Sequence, residues 1–448
     1  MPDIRDSGRH PRWVLRWVLI TIASVLAGTA GWIRLRFGPV TFDQIVTNLP
    51  VGGGEGVGNN ELLTEALLAS LVAPIALTTA FAGLLWLRRR HRAAQPRPVR
   101  RSLALPSIAL AGALGVLLTV AGVPQHAAAM LDPRSIADYY VDPAAGPSTK
   151  PRNLITIYLE SVENSFAEES LFGENLLANL DRATTGWARY GLRQYPGGGW
   201  TMSGIVSTQC AVPLKSKLLV PGVNSNSLGE KVDHYLPGAT CLGDILAARG
   251  YTNAFVGGAH TRFAGKDTFL SDHGYTSVQG LSTWEAAGEK RADISVWGLS
   301  DARMLDHARD TLADLRQAGT PFHLTILTLD THEPAGVFDS CRPKDAEPMA
   351  SALKCSTRAV AGFLDHLRTE GYLDDTVVVL MGDHLKNVAE GGSFSAGLAD
   401  RDRTILFRVW SPDGVRFGRK DADQLSVLPT TLELLGLGAA GGRAGLGV

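Results

Sequence analysis

The chain has 448 residues, 45% hydrophobic and 19% charged, a balance that excludes a disordered polypeptide and a small disulfide scaffold and leaves room for two units. Its 43 basic and 44 acidic side chains give a net charge of -1, so no global basic field marks a nucleic-acid binder. That neutrality is a sum over unlike parts: all ten lysines lie at or after Lys150, whereas residues 1–149 carry long apolar runs punctuated by arginines.

In chain order, three apolar stretches come first, from about Trp17 to Ile33, Ala66 to Leu87 and Leu103 to Val123, none with an interior charge. A bilayer core about 30 Å thick takes roughly 20 apolar residues per helix, so each is expected to cross a membrane. A cleaved signal peptide is the competing reading of the first, but two further apolar segments follow it and no small-residue cleavage site does. Pro74 and Pro106 do not exclude membrane helices, because neighbours in a bundle re-satisfy the freed carbonyls. Arg88, Arg89, Arg90, Arg92, Arg97, Arg100 and Arg101 place the loop between the second and third segments in the cytoplasm, and Arg5, Arg9, Arg12 and Arg16 put the N-terminus on the same side. Everything after Val123 is then outside, in the periplasm or at the cell exterior.

All four cysteines, Cys210, Cys241, Cys341 and Cys355, lie in that outside part, where disulfides persist. Of the three possible pairings, proximity along the chain favours Cys210 with Cys241 and Cys341 with Cys355. Residues 124–150 carry Pro133, Pro143, Pro147 and Gly146 and read as a juxtamembrane linker between an anchor, 1–123, and a large domain, 151–448.

Within that domain, apolar runs at Leu154–Leu159, Thr252–Val256, His323–Leu329, Thr376–Met381 and Thr404–Trp410 read as strands. They alternate with helical stretches at Cys241–Arg249, Leu299–Gln317 and Met349–Thr369. The expected fold class is α/β, a mostly parallel sheet sandwiched by helices and preceded by three transmembrane helices. Such sheets bind ligands beyond the carboxyl ends of their strands, so chemistry is expected there. The run NLITIYLE ends in Glu160, and TVVVLMGDH ends in Asp383 and His384. Two carboxylates and an imidazole are ligand types that Mn²⁺, Mg²⁺ and Zn²⁺ accept, although a single carboxylate after a strand also serves as a loop or cap residue. In GGGWTMSGIVSTQC a glycine-rich turn delivers Thr201 to the start of a helix. A threonine there can be an N-cap, or a nucleophile whose developing charge the helix N-terminus favours.

With these residues in view, the outer domain resembles the alkaline-phosphatase/sulfatase superfamily. More closely, it resembles membrane-bound phosphoglycerol transferases of the lipoteichoic acid synthase and periplasmic glucan types. The resemblance is carried by YYVDP, NLITIYLES, GGWTMSGIVSTQCAVPL, CLGDIL, RFAGKDTFL, LTLDTHEP and GDHL, which thread residues 139–440. The sulfatase CxPxR signature is absent, since Cys210 is followed by Ala211, Val212, Pro213 and Leu214, and this argues against a formylglycine nucleophile.

The resemblance implies that Glu160, Thr201, Asp383 and His384 hold one divalent metal ion, Mn²⁺ or Mg²⁺ rather than Zn²⁺, with Thr201 also the nucleophile. It implies substrate contacts for His332 and a basic substrate contact in the segment holding Arg262 and Lys266; Lys266 and Asp267 could instead form a surface ion pair. His260 and His273 are read as structural, and Glu333 stands where the glucan branch has a second histidine. The implied reaction moves phosphoglycerol from phosphatidylglycerol to a glycan acceptor, a periplasmic glucan being the first expectation. It proceeds through a phosphoglycerol-threonine, at a bacterial plasma membrane, without nucleic acid. A phosphoethanolamine transferase, a hydrolase of the same superfamily and a catalytically silent sensor are the alternatives.

Overall fold

In a computed structural model of the chain, the described residues are 9–38, 40–42, 45, 60–91, 102–143, 146, 151–214, 232–342, 344–388, 392–398, 401–438 and 440–448. Arg5, most of the basic loop from Arg92 to Arg101, the glycine-rich run Val51–Gly58 and part of the expected linker, Pro147 to Lys150, lie outside them. The chain divides into two compact units, Met1–Pro133 and Arg134–Val448.

The first unit is helical. Helix α1 spans Arg9–Phe37, α2 Asn60–Leu67 and α3 Ala73–His91, with a π-helical stretch, Leu68–Val72, joining the last two. The π-helical stretch ends two residues before Pro74, whose missing N–H interrupts the regular ladder. Two helices are long and apolar enough to cross a membrane, Trp13–Phe37 and Thr64–Arg88. They pack closely: Thr21 Oγ1 donates to Thr78 Oγ1 at 3.2 Å, and a side chain at Gly28 would meet the Pro74 ring.

The third expected span takes a bent form. The segment Leu103–Val123 is not one straight helix but α4, Ala104–Val120, followed after a 65° bend by α5, Val123–Leu131, and only the pair together is long enough to cross. Gly122, at φ +70°, and Pro124 in the first turn of α5 produce the break.

The second unit is built on a seven-stranded sheet in the order β2-β7-β6-β1-β5-β3-β4. The strands are β1 Asn153–Leu159, β2 Ala188–Leu192, β3 Thr252–Gly257, β4 Tyr275–Gln279, β5 Phe322–Leu327, β6 Thr376–Gly382 and β7 Ile405–Trp410. The sheet is mixed: β6, β1, β5, β3 and β4 are parallel, while β7 runs antiparallel to both its neighbours, β6 and β2. Among the described residues no long helix separates β6 from β7, in keeping with an antiparallel return rather than the crossover that a parallel pair needs.

Side chains of β1 alternate between two cores. Ile155, Ile157 and Leu159 pack with Met304, Leu312, Val360 and Phe363, while Leu154 and Tyr158 pack with Met202, Ile205, Leu246 and Leu428 on the other face. Full burial of each such aliphatic side chain contributes about 1.5–3 kcal/mol, which is why the central strands read as continuous apolar runs. The disulfides are Cys210–Cys241 and Cys341–Cys355, the pairing that proximity favours.

Candidate active site

Strand register builds the site. Leu159 of β1 pairs with Gly382 of β6, so the residues that follow, Glu160 and Asp383, leave the sheet side by side at its carboxyl edge. Asp383 is fully buried. Its Oδ1 accepts the N–H of Ser161 and that of His384, both at 2.8 Å, while Oδ2 is buried with no hydrogen-bond partner among the described residues. His384 Nε2 stands 3.5 Å from both Glu160 Oε1 and Asp383 Oδ2. Its Nδ1 donates to the Leu385 carbonyl at 2.9 Å, which fixes the ring and turns Nε2 toward the carboxylates.

Helix α6, Thr201–Cys210, brings the hydroxyl. Its N-cap is Trp200, in extended conformation, so Thr201 is the first helical residue and the capping alternative is excluded. Thr201 Oγ1 instead donates to Glu160 Oε2 at 3.1 Å. Gly204, one turn on, lets the helix touch the β6 end, because a Cβ there would collide with the Asp383 carbonyl. Gln424 fastens the same junction, donating from Nε2 to Asp383 O at 2.8 Å and Gly198 O at 3.3 Å.

The donor set fits a divalent cation. Four ligands about 2.1 Å from an ion stand about 3.4 Å apart in a tetrahedron, close to the observed 3.1 and 3.5 Å separations. Glu160, Asp383 and His384 offer three buried ligand atoms within 4.8 Å of one another, and an ion would satisfy the orphaned Asp383 Oδ2. A second group, Cys241, Asp244 and His273, supplies no thiolate because Cys241 is bonded to Cys210. His273 is structural there, with Nδ1 on Asp244 at 2.7 Å and Nε2 on the Tyr235 carbonyl at 2.9 Å.

Charges in the cluster are strongly coupled. Burial and the neighbouring Glu160 carboxylate push Asp383 up to about 7, against the pull of His384. Burial works against the charged forms of Glu160 and His384 as well, but attraction wins: His384 holds Glu160 well below the carboxylate range, and Asp383 together with Glu160 pushes His384 up to about 10. An incoming cation must therefore displace a proton from His384, and below pH 7 a second from Asp383. The expected affinity for a divalent ion rises about tenfold per pH unit above pH 7 and falls about a hundredfold per unit below it. Chelator-competition titrations between pH 5.5 and 8.5 measure those slopes; a flat profile would exclude these residues as ligands.

The expected substrate-binding residues divide. Lys266 opens helix α7, Lys266–Asp272, and is buried, with no hydrogen-bond or ion-pair partner among the described residues; the Phe255 ring centroid is 6.0 Å from Nζ. Burial pulls its ammonium down to about 8 against the fields of Glu160 and Asp383. The alternative surface pair with Asp267 is not formed, since Asp267 Oδ1 accepts the Thr268 N–H instead. Arg262 is exposed on the preceding turn, and no hydrogen bond joins it to the cluster among the described residues. His332, on the loop after β5, is half-buried against Trp297 with ring centroids 4.0 Å apart, and its field helps to lower Glu160. His260 is exposed, hydrogen-bonded to Ser282.

Sequence reasoning missed several residues that shape this centre: Ser161, Gln194, Trp297, Lys386 and Gln424. Gln194 Oε1 accepts the Leu385 N–H at 2.8 Å, holding the loop beside His384. Only two have a local signature: Ser161, which closes NLITIYLES, and Lys386, which directly follows GDHL.

The α/β fold is of the alkaline-phosphatase type. A crystal structure of an alkaline-phosphatase-superfamily protein from Vibrio parahaemolyticus has a similar fold, with TM-score 0.51, 22% identity, and coverage of 68% of this chain and 71% of that one. A lipoteichoic acid synthase from Listeria monocytogenes gives 0.50 and 18%, over 70% of this chain and 78% of that one.

The sulfatase family model matches residues 200–437, and the chain belongs to that family. It is 38% identical over 247 residues to phosphoglycerol transferase I of Xanthomonas campestris, covering 53% of this chain and 34% of that one. To phosphoglycerol transferase I of Salmonella choleraesuis it is 32% identical over 371 residues, covering 80% of this chain and 46% of that one. The chain thus spans a third to just under half the length of these relatives.

Proposed function

We propose that the protein transfers phosphoglycerol from phosphatidylglycerol to a glycan hydroxyl, with Thr201 as nucleophile, and that a periplasmic glucan is the acceptor. The observation that carries this is the Thr201 hydroxyl, free of any capping role and 3.1 Å from Glu160 within a cluster suited to a metal ion, in a chain similar to phosphoglycerol transferase I.

Thr201 Oγ1 attacks the phosphodiester phosphorus and the diacylglycerol oxygen leaves. The phosphoglycerol carried on Thr201 then passes to an acceptor hydroxyl in a second displacement, so configuration at phosphorus is retained overall. One divalent ion, Mn²⁺ or Mg²⁺, held by Glu160, Thr201, Asp383 and His384, would make the hydroxyl more acidic and neutralise phosphoryl charge. The protein's own task is positioning and charge balance. The start of α6 would face developing negative charge, Lys266 is a buried cation with no ion-pair partner among the described residues, and His332 and Arg262 would complete the phosphate and glycerol contacts.

The membrane helices suit a lipid donor. The arginine distribution supports a cytoplasmic N-terminus and a periplasmic or extracellular catalytic unit at the plasma membrane, a setting consistent with both disulfides. The test is an assay of purified full-length protein with phosphatidylglycerol labelled in its glycerol headgroup, with and without candidate glycans. Diacylglycerol release with label moving to a glycan supports the reading. Release of free glycerol phosphate only, whatever the acceptor, would make it a hydrolase, and turnover of phosphatidylethanolamine in preference would replace the donor.

A further inference from the structure

Two buried lysines flank the carboxylate–imidazole cluster, Lys266 within the fields of Glu160 and Asp383 and Lys386 two residues past His384, and they are partnered differently. Lys266 has no carboxylate partner among the described residues. Lys386, two residues past His384, is 3% exposed at its side chain and sits 2.9 Å from Glu333 Oε1 and 3.4 Å from the Thr331 carbonyl. Thr331 in turn donates its hydroxyl to the Glu160 carbonyl at 2.5 Å, so this ammonium lies in the layer that touches the metal ligands. Glu333 directly follows His332 and is 22% exposed at its side chain. Arg403, a half-buried cation of the same β6–β7 connection, is matched by the fully buried Glu163, which also accepts the Lys386 backbone N–H at 3.1 Å.

We propose that Glu333 is a specificity-determining residue: by neutralising Lys386 it keeps the positive charge available to phosphate low enough to favour a phosphodiester monoanion over a phosphomonoester dianion. The inference rests on the phosphoryl-transfer reading above. Its physical basis is charge matching. A diester carries one negative charge and needs one free buried cation beside the ion, which Lys266 supplies. A monoester carries nearly two, and the second cation that would meet the extra charge is present but already paired. Among buried groups, where the effective dielectric is low, one uncompensated charge separates such substrates strongly.

The experiment compares full-length wild type, E333Q, E333D, K386M and E333Q/K386M on bis(4-nitrophenyl) phosphate and 4-nitrophenyl phosphate. In E333Q the ratio of monoester to diester kcat/KM is expected to rise about tenfold, the effect of exposing one partly screened charge to the substrate. E333D restores the wild-type ratio because it restores the charge. K386M shifts the ratio the other way, since it leaves the Glu333 carboxylate uncovered. E333Q/K386M returns to the wild-type ratio, because removing both charges removes the difference. If Glu333 only latches the loop to Lys386, E333Q lowers both activities equally and the ratio stays put, which overturns the proposal; so does a double variant that keeps the E333Q shift. T201A is run alongside. Unchanged turnover of both substrates in T201A would sink the nucleophile assignment whatever the Glu333 variants show, so the two failures are told apart.

Discussion

Replacing Thr201 with alanine is expected to lower diacylglycerol release from phosphatidylglycerol by on the order of 10⁴-fold or more, while the protein melts within about 1 kcal/mol of wild type. The two halves of that expectation have separate grounds. Chemically, covalent transfer needs an oxygen at this position, and the two neighbouring serine hydroxyls are held elsewhere: Ser161 Oγ donates to the opposite carboxylate oxygen, Glu160 Oε1, and Ser203 is hydrogen-bonded to Tyr195 and to the Gly197 carbonyl. Structurally, the Thr201 side chain caps nothing and donates its hydroxyl to Glu160, so its loss removes that one interaction. Alanine is also the better helix former in the first turn. Thr201→Ser keeps the hydroxyl and is expected to retain most activity. In wild type supplied with donor but no acceptor, mass spectrometry should find phosphoglycerol on the peptide containing Thr201. Wild-type release by the alanine variant would refute the nucleophile outright.

The parts of this molecule that were legible in the sequence are those set by short-range physics. Strands β1, β5 and β6 are buried on both faces and therefore announce themselves as apolar, β-branched runs, and a polar residue that ends such a run must sit at the sheet's carboxyl edge. Strand register then brings Glu160 and Asp383 together without further information. Strands β2 and β4 were missed because they lie at the two edges of the sheet, are five residues long and contain polar side chains that are only partly buried. The bend after α4 could have been read from Gly122 and Pro124, but the apolar run continues through them and masks the break. What no local pattern carries is the set of long-range fasteners. Gln424 reaches Asp383 across 41 positions and Gly198 across 226, and Gln194 reaches Leu385 across 191. Nothing in the neighbourhood of either glutamine distinguishes it from a surface residue, because the partner that makes it useful arrives only with the tertiary fold.

Asp383→Asn is expected to abolish activity and divalent-ion binding yet leave the metal-free protein as stable as wild type or more so. The carboxylate is fully buried beside Glu160, and in the folded state it holds its proton up to about pH 7. A carboxyl group whose folded-state pKa is raised stabilises the fold fully at low pH, and that contribution is lost as pH rises through the folded value. Metal-free wild type should therefore weaken between about pH 4 and pH 7 by an amount that the asparagine variant does not share. The amide oxygen can still accept the N–H groups of Ser161 and His384, so the turn after β6 is kept, while the amide nitrogen cannot ligate a cation. With a divalent ion at a thousandfold excess over its dissociation constant, wild type gains about 4 kcal/mol of stability, several degrees in Tm, and the variant gains none. The two melting curves should thus cross: variant at or above wild type in EDTA at pH 8, and clearly below it when Mn²⁺ or Mg²⁺ is added. Melting of wild type that ignores both EDTA and added ion, together with activity in the asparagine variant, would remove the metal from the mechanism and leave the carboxylate–imidazole cluster with a purely structural role.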